Sequence, residues 1–153
     1  MESTLVLIKP SGIERSLIGD ILSRFQKKGL IIAGLKMMKL DENILREHYA
    51  HLVDRSFFPM ILASMMACPV IAICLKGKDA IEVVRNMVGS TDASKAAPGT
   101  IRGDFSMSSQ ENIVHASDSA ENVAIEIRRF FQDNEIFDYK PDYFRYLYAP
   151  DGK

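Results

Sequence analysis

The chain contains 153 residues with a formal net charge of −1, and 47% of its residues are hydrophobic and 25% charged. These values are typical of one globular domain, here residues 1–153, whose core is large enough to need no disulfide. They exclude a strongly cationic surface for nucleic acid, and no apolar stretch approaches the roughly 20 residues of a membrane span, so neither partner is expected.

Two cysteines, Cys68 and Cys74, flank a short apolar run. We predict that they are buried structural thiols, with a redox or metal role as the alternative. Since disulfides are not needed, a cytoplasmic location is expected.

Strand and helix periods alternate along the first half of the chain. Lys27-Lys28-Gly29 supplies cations and then a glycine where a helix ends, Asp41 is a suitable N-cap, and Pro59 is tolerated in a first helical turn. We therefore predict strands at Thr4–Lys9, Leu30–Leu40 and Pro69–Leu75, and helices at Ser16–Lys28, Glu42–Leu52, Phe58–Ala67 and Asp79–Val88.

The second half of the chain opens with a long stretch that lacks any period. Residues Gly89–Glu111 are rich in Ser, Thr, Gly, Ala and Asp, and a structureless connection of this length in a compact domain is usually functional. A strand pattern over Asn112–Ala116 follows, and Asp118-Ser119-Ala120-Glu121 predicts a capping box into a helix over Ala120–Phe131. From about residue 132 we predict an irregular, aromatic-rich tail.

The order of these elements indicates the fold class. It runs strand, helix, strand, two helices, strand, helix, long loop, strand, helix. This split order favours an α+β sandwich, in which a small antiparallel or mixed four-stranded sheet is covered by helices, over a doubly wound parallel sheet.

The common phosphate-binding and zinc motifs are absent from the sequence. There is no G-x-x-x-x-G-K-[ST], no G-x-G-x-x-G and no Cys/His cluster with zinc spacing. His48, His51 and Asp54 would share a helix face as a possible metal site, although a solvated polar face is the favoured interpretation.

His115 is placed differently from the other two histidines. It ends an apolar strand directly before a capped helix, where its side chain can face a cleft. Lys9, Arg85, Thr91, Arg102 and Asn112 lie on or near the long loop or at the end of the first strand. Arginine forks and lysine charges suit phosphate oxygens, so this grouping suggests a polyphosphate ligand, with ordinary ion pairing as the alternative.

Three runs of sequence identify a resemblance. Ile8-Lys9-Pro10, the run PGTIRGDF over Pro98–Phe105 and the run NIVHASDS over Asn112–Ser119 are together similar to the nucleoside diphosphate kinase family, in register from about Thr4 to Phe131. The resemblance implies a ferredoxin-like sandwich. It also implies transfer of the γ-phosphate of a nucleoside triphosphate to a nucleoside diphosphate through a phosphohistidine, with Mg²⁺ and with broad base specificity.

The resemblance also implies roles for individual residues. His115 would be the nucleophile, oriented by Glu126 and Ser117. Lys9 and Asn112 would reach the sugar hydroxyl, and Phe57 would stack on the base. The phosphates would be held by Lys9, Tyr49, Arg85, Thr91 and Arg102. No protein ligand for the metal is implied, since the nucleotide phosphates would hold Mg²⁺.

Several positions depart from the family pattern. Ser109 stands where an apolar residue commonly covers the base, and Ala116 stands where glycine usually follows the histidine. Smaller departures are Ser11, Asp92-Ala93, Gln110 and Glu111. None of them removes a reacting group.

The sequence also leads to expectations about ligands and oligomeric state, and it leaves two alternative functions open. Nucleoside di- and triphosphates are the expected ligands, and the resemblance implies a homo-oligomer, a hexamer or tetramer built from dimers. The alternative function is a non-catalytic nucleotide-sensing or interaction module of the same fold. A single-stranded RNA binder is a weaker alternative, because no strand carries paired aromatic residues.

Overall fold

The computed structural model describes residues 1–151 and is built on a four-stranded sheet. The sheet has the order β2-β3-β1-β4, and every neighbouring pair is antiparallel. Its strands are β1 (Glu2–Ile8), β2 (Ile31–Met38), β3 (Val70–Gly77) and β4 (Val114–Ala116). This arrangement confirms the predicted ferredoxin-like α+β fold.

Within residues 1–151, seven α-helices surround the sheet. They are α1 (Pro10–Glu14), α2 (Ile18–Lys28), α3 (Glu42–His48), α4 (Phe58–Met66), α5 (Ala80–Val88), α6 (Ile101–Phe105) and α7 (Ala120–Phe130). Strand β1 lies centrally, so its side chains alternate between two cores. Val6 and Ile8 join the cluster that includes α2 and α5, whereas Leu5 and Leu7 join the cluster that includes α3, α4 and α7.

The strongly periodic elements lie where the sequence predicts them, with small differences at their ends. The helix predicted over Glu42–Leu52 stops at His48 and continues as a short 3₁₀ segment over Ala50–Leu52. The predicted capping box does not form. Ser119 alone caps α7 by accepting from the Asn122 backbone N–H, which leaves Glu121 one position short of where a box requires it.

The long connection after α5 has more structure than predicted. Thr100 caps α6 through its hydroxyl, and Asp92 caps a 3₁₀ segment over Ala93–Lys95. Arg24 of α2 donates to the Gly99 carbonyl and pairs with Asp104, so a distant helix fixes the loop. Short-range periodicity cannot reveal an order that depends on this distant contact.

The aromatic tail lies across the chain's own sheet. The Phe137 N–H donates to the Ala33 carbonyl at 2.8 Å, and the Tyr139 hydroxyl donates to the Ile32 carbonyl at 2.8 Å. Two 3₁₀ segments, Asp133–Glu135 and Asp142–Tyr146, interrupt the irregular backbone. Several rings nevertheless stay in contact with water, and Tyr146 is 77% exposed.

The described part of the chain contains no helix that is both long and apolar enough to span a bilayer. Both cysteines are free thiols, Cys74 buried and Cys68 partly so.

Candidate active site

His115 lies in the middle of the edge strand β4, opposite Leu7 of β1. Its ring is partly exposed, and Nε2 lies 2.9 Å from Oε2 of Glu126 on α7. The buried Ser117 hydroxyl donates to the same carboxylate oxygen. The turn from β4 into α7, capped by Ser119, therefore brings all three groups together.

The state of Glu126 determines which nitrogen of His115 is free. Burial alone would raise the pKa of Glu126, but the hydrogen bond and charge of His115, together with the Ser117 bond, lower it well below its usual range. An ionised carboxylate only accepts hydrogen bonds, so Nε2 carries the proton. The lone pair of Nδ1 is then available for nucleophilic attack.

The backbone just before His115 is strained. Ile113 has φ +59°, a region that β-branched residues rarely adopt. The Val114 N–H donates to the Asn112 carbonyl at 2.7 Å, so Ile113 is the centre of a γ-turn. Such a conformation costs on the order of 1–3 kcal/mol, and the fully buried Ile113 side chain helps to hold it.

A polar cleft of about 550 Å³ opens in front of His115. The predicted site residues that line it are Lys9, Tyr49, Arg85, Thr91, Arg102, Asn112, His115 and Glu126. The whole lining has four cationic side chains, the fourth being Arg129, against the three carboxylates of Glu47, Asp118 and Glu126. Among the predicted residues themselves the ratio is three cations to one carboxylate, and this local excess of positive charge suits a polyphosphate.

Lys9 follows β1 and is held by the loop. Its Nζ donates to Oδ1 of Asn112 at 2.7 Å, and the Asn112 amide donates to the Thr91 carbonyl at 3.0 Å. Burial, with a smaller contribution from the nearby Arg102 charge, lowers the pKa of Lys9 to about 8. Keeping this ammonium charged in the folded protein costs about 3 kcal/mol at neutral pH, and bound phosphate would offset that cost.

Arg102 is 3% exposed and donates to three backbone carbonyls. Its acceptors are Asn112, Gly89 and Val114, at 3.3, 3.0 and 2.7 Å. Burial and the charge of Arg85 lower the pKa of Arg102 to about 10, so it stays charged at neutral pH. Three of its five N–H groups thus fix the loop, and two are left for a ligand.

An apolar cavity of about 290 Å³ adjoins the polar cleft. Lys9, Tyr49, Thr91 and Asn112 line both, so the two form one continuous groove. Phe57, at the start of α4, lines the apolar end and is 42% exposed. Burial raises the pKa of Tyr49 to about 12, so its hydroxyl remains a neutral hydrogen-bonding group.

Two of the departures noted in the sequence can now be placed. Ser109 lines the apolar cavity, and its side chain, after that of Ser94, helps to hold the pKa of the Asp92 carboxyl below its usual value. Ala116 is buried in β4 with ordinary backbone geometry, so this position accommodates its Cβ.

Among residues 1–151, only His48, His115 and Glu126 form a group that could hold a metal ion, with ligand atoms within 4.8 Å of one another. The Arg129 guanidinium lies 3.0 Å from Nδ1 of His48, and its charge opposes a cation there. His51 and Asp54 are exposed and outside this group, as expected for a solvated face.

The structure brings all ten predicted site residues to this groove or, for Ser117, directly behind it. Sequence reasoning missed three features: the buried His48, its contact with Arg129, and the strained turn at Ile113. The glutamate, histidine and tyrosine at positions 47–49 gave no signal that His48 is buried whereas Glu47 is exposed.

These features define a class: α+β proteins of ferredoxin-like fold with a nucleotide-sized groove that ends at a hydrogen-bonded histidine. The sequence model of the family described as nucleoside diphosphate kinase matches residues 2–136.

Individual relatives agree with this match. A nucleoside diphosphate kinase of Parabacteroides distasonis is 58% identical over 151 residues, covering 99% of each chain. One from Staphylothermus marinus is 51% identical, covering 90% of this chain and 98% of the relative. A halophilic nucleoside diphosphate kinase from Halobacterium salinarum, solved in complex with CDP, superposes with a TM-score of 0.93 at 41% identity, covering 97% of this chain and 99% of that one. The chain belongs to the nucleoside diphosphate kinase family.

Proposed function

We propose that this protein transfers the γ-phosphate of a nucleoside triphosphate to a nucleoside diphosphate through a phosphohistidine on His115. The observation that carries the proposal is the His115–Glu126 bond of 2.9 Å, which leaves Nδ1 free at the end of a cationic groove. The family match and the 58% identical relative support the same activity.

The chemistry proceeds in two balanced halves. Nδ1 of His115 attacks the γ-phosphorus, the bond to the β–γ bridging oxygen breaks, and the nucleoside diphosphate leaves with that oxygen. A second nucleoside diphosphate then binds the same groove, and its terminal phosphate oxygen attacks the phosphorus and releases His115. Glu126 holds the Nε2 proton throughout and balances the positive charge that develops on the ring.

The groove residues have distinct proposed roles. Arg85, Arg102, Lys9, Tyr49 and Thr91 neutralise and orient the phosphates, which is where most of the stabilisation of a loose phosphoryl-transfer state arises. Lys9 and Asn112 contact the sugar, and Phe57 stacks on the base. The CDP bound to the Halobacterium relative supports a nucleoside diphosphate as ligand. Since stacking does not read the edge of a base, broad base specificity follows.

We also propose that Mg²⁺ accompanies the nucleotide. Each carboxylate that lines the polar cleft already has a protein partner: Glu126 bonds His115, Glu47 pairs with Arg129, and Asp118 accepts from Asn122. Phosphate oxygens would therefore be the main ligands of the ion. When bound, the ion supplies neutralisation of phosphate charge. The two free thiols support a cytoplasmic location.

Transfer of label tests the function. The protein is incubated with γ-labelled ATP and Mg²⁺, and GDP is then added. We expect an acid-labile label on the protein that moves into GTP. A folded protein that takes up no label would favour the non-catalytic alternative, a nucleotide-sensing module.

Lys9 makes nucleotide binding dependent on pH. Because its ammonium is present below its pKa of about 8 and lost above it, we expect KM for the nucleotide to rise above pH 8 while kcat changes little, since bound phosphate restores the charge. Initial rates between pH 6.5 and 9.5 measure this. Lys9→Arg keeps its charge and should lose the alkaline rise in KM; an unchanged rise would assign it to another group.

We further propose that the protein forms a closed homo-oligomer larger than a dimer. Strand β2 is a sheet edge, and Leu35 and Met37 on it are 49% and 56% exposed. The tail adds the exposed Phe137 and Tyr146. Exposed apolar groups of this kind usually mark contact surfaces.

Truncation after Asp138 tests the part played by the tail. We expect the shortened chain to associate more weakly while His115 still takes up label, because the groove keeps all its residues. Sedimentation equilibrium at low micromolar concentration measures the masses. A monomeric full-length protein would contradict the assembly, and the same number of subunits in both forms would exclude the tail from the interface.

A further inference from the structure

His48 is a buried imidazole that touches the proposed nucleophile but has no part in the mechanism above. It ends α3, and its side chain is 2% exposed. Its ring packs edge-to-face against His115, with centroids 4.6 Å apart and planes at 82°. Tyr49 and Phe130 pack against it in the same manner.

Arg129 fixes the hydrogen-bonding state of this ring. Its Nη1 lies 3.0 Å from Nδ1 of His48. A guanidinium donates and never accepts, so Nδ1 must use its lone pair. His48 is therefore neutral, with its proton on Nε2. Burial first, and then the charges of His115, Arg129 and Lys9, lower the pKa of His48 far below its usual range, while Glu126 opposes this.

The competing state of His48 would interfere with the Glu126–His115 pair. Nδ1 of His48 is only 4.0 Å from Oε1 of Glu126, and the other oxygen of this carboxylate accepts the hydrogen bond from His115. With a proton on Nδ1, His48 would share the carboxylate that orients the nucleophile. The charged or titratable groups around His48 and its partner are Glu126 and Arg129 on α7, His115 on β4, Lys9 after β1, and Glu47 and Tyr49 beside it.

We propose that Arg129 is a positioning residue that acts through His48. By keeping Nδ1 of His48 an acceptor, it reserves the Glu126 carboxylate for His115. This rests on the proposed role of His115. Arg129 is well placed for the task, because its side chain is 10% exposed and its Nε lies 3.6 Å from Oε1 of Glu47. The neighbouring Arg128 is exposed and provides a matched control on the same helix.

Kinetics of three variants test the proposal. In Arg129→Leu, we expect single-turnover labelling of His115 to slow about tenfold at pH 7.5, by analogy with the loss of a group that orients a metal ligand. Nucleotide affinity should change less than about twofold, and the defect should deepen as the pH falls toward 6, because acid favours a proton on Nδ1. Arg129→Gln keeps a donor toward Nδ1 and should recover most of the rate. Arg128→Leu should match the wild type.

A second substitution assigns the defect to His48. Adding His48→Gln to Arg129→Leu should remove the deepening at low pH, since glutamine does not titrate. A defect in Arg129→Leu that is independent of pH, or one shared equally by Arg129→Gln, would overturn the proposal. Thermal unfolding of each variant identifies any loss that is merely structural.

A measurement on the unaltered protein does not depend on activity. In ¹⁵N-histidine NMR spectra between pH 5.5 and 8, we expect His48 to remain neutral, with its proton on Nε2. A protonated Nδ1 in this range would overturn the proposal even if His115 takes up label. If His115 takes up no label but His48 shows the expected state, the proposed function fails and the Arg129–His48 contact stands.

Discussion

His115→Asn is expected to lose phosphoryl transfer by a factor on the order of 10⁴ or more, because asparagine has no nucleophilic nitrogen while its amide can still donate to Glu126. Nucleotide binding should persist within a few-fold, since Lys9, Arg85, Arg102 and Phe57 remain in place. Covalent labelling and steady-state exchange measure the first effect, and calorimetric titration with a nucleoside diphosphate measures the second.

A matched variant separates the nucleophile from its surroundings. Ser117→Ala removes one bond to Glu126 but leaves Nδ1 of His115 intact, so labelling should continue at a reduced rate. Residual turnover in His115→Asn close to that of Ser117→Ala would mean that another group accepts the phosphoryl, and the mechanism would fail. Loss of nucleotide binding in His115→Asn would instead indicate that the substitution disturbs the groove.

The elements that the sequence predicted correctly are those in which the pattern of buried and exposed residues follows the regular period of a strand or a helix. Strands β1 and β3 are apolar runs because both of their faces are covered, and α2 shows a clear amphipathic period and ends at Gly29 in a left-handed conformation. Helix α6 was missed because its order depends on Arg24, a residue about 75 positions earlier in the chain.

In the candidate site too, features marked by a local sequence pattern were predicted, and features that depend on distant contacts were not. His115 and the loop residues could be named because they occupy a recognisable spacing, and the structure brings them together. The contact between Arg129 and His48 joins residues 81 positions apart, and no local pattern marks it. Likewise, nothing in the residue type of Ile113 predicts a positive φ, because the surrounding packing and hydrogen bonds impose it.

Arg102 both orders the loop and lines the cleft proposed to bind phosphate. In Arg102→Leu, the carbonyls of Asn112, Gly89 and Val114 lose their buried donor. Asn112 and Val114 flank the strained Ile113. Loss of the two hydrogen bonds from Arg102 to their carbonyls therefore also releases the turn that presents His115. We expect the free energy of unfolding to fall by about 3–5 kcal/mol, which lowers the melting temperature by roughly 10 °C for a chain of this size.

Arg85→Leu is the matched control for this prediction. Arg85 lines the same cleft but is exposed, and its one carbonyl bond, to Ala116, is long at 3.4 Å. Both variants remove one cation from the phosphate site and should weaken nucleotide binding, yet Arg85→Leu should cost less than about 1 kcal/mol of stability. Urea unfolding of both variants, without nucleotide, makes the comparison. Equal free energies of unfolding would mean that the three carbonyls find other donors and that Arg102 acts only on the ligand. A lower stability of Arg102→Leu than of Arg85→Leu is expected, because the Arg102 guanidinium both stabilises the loop and contributes positive charge to the cleft.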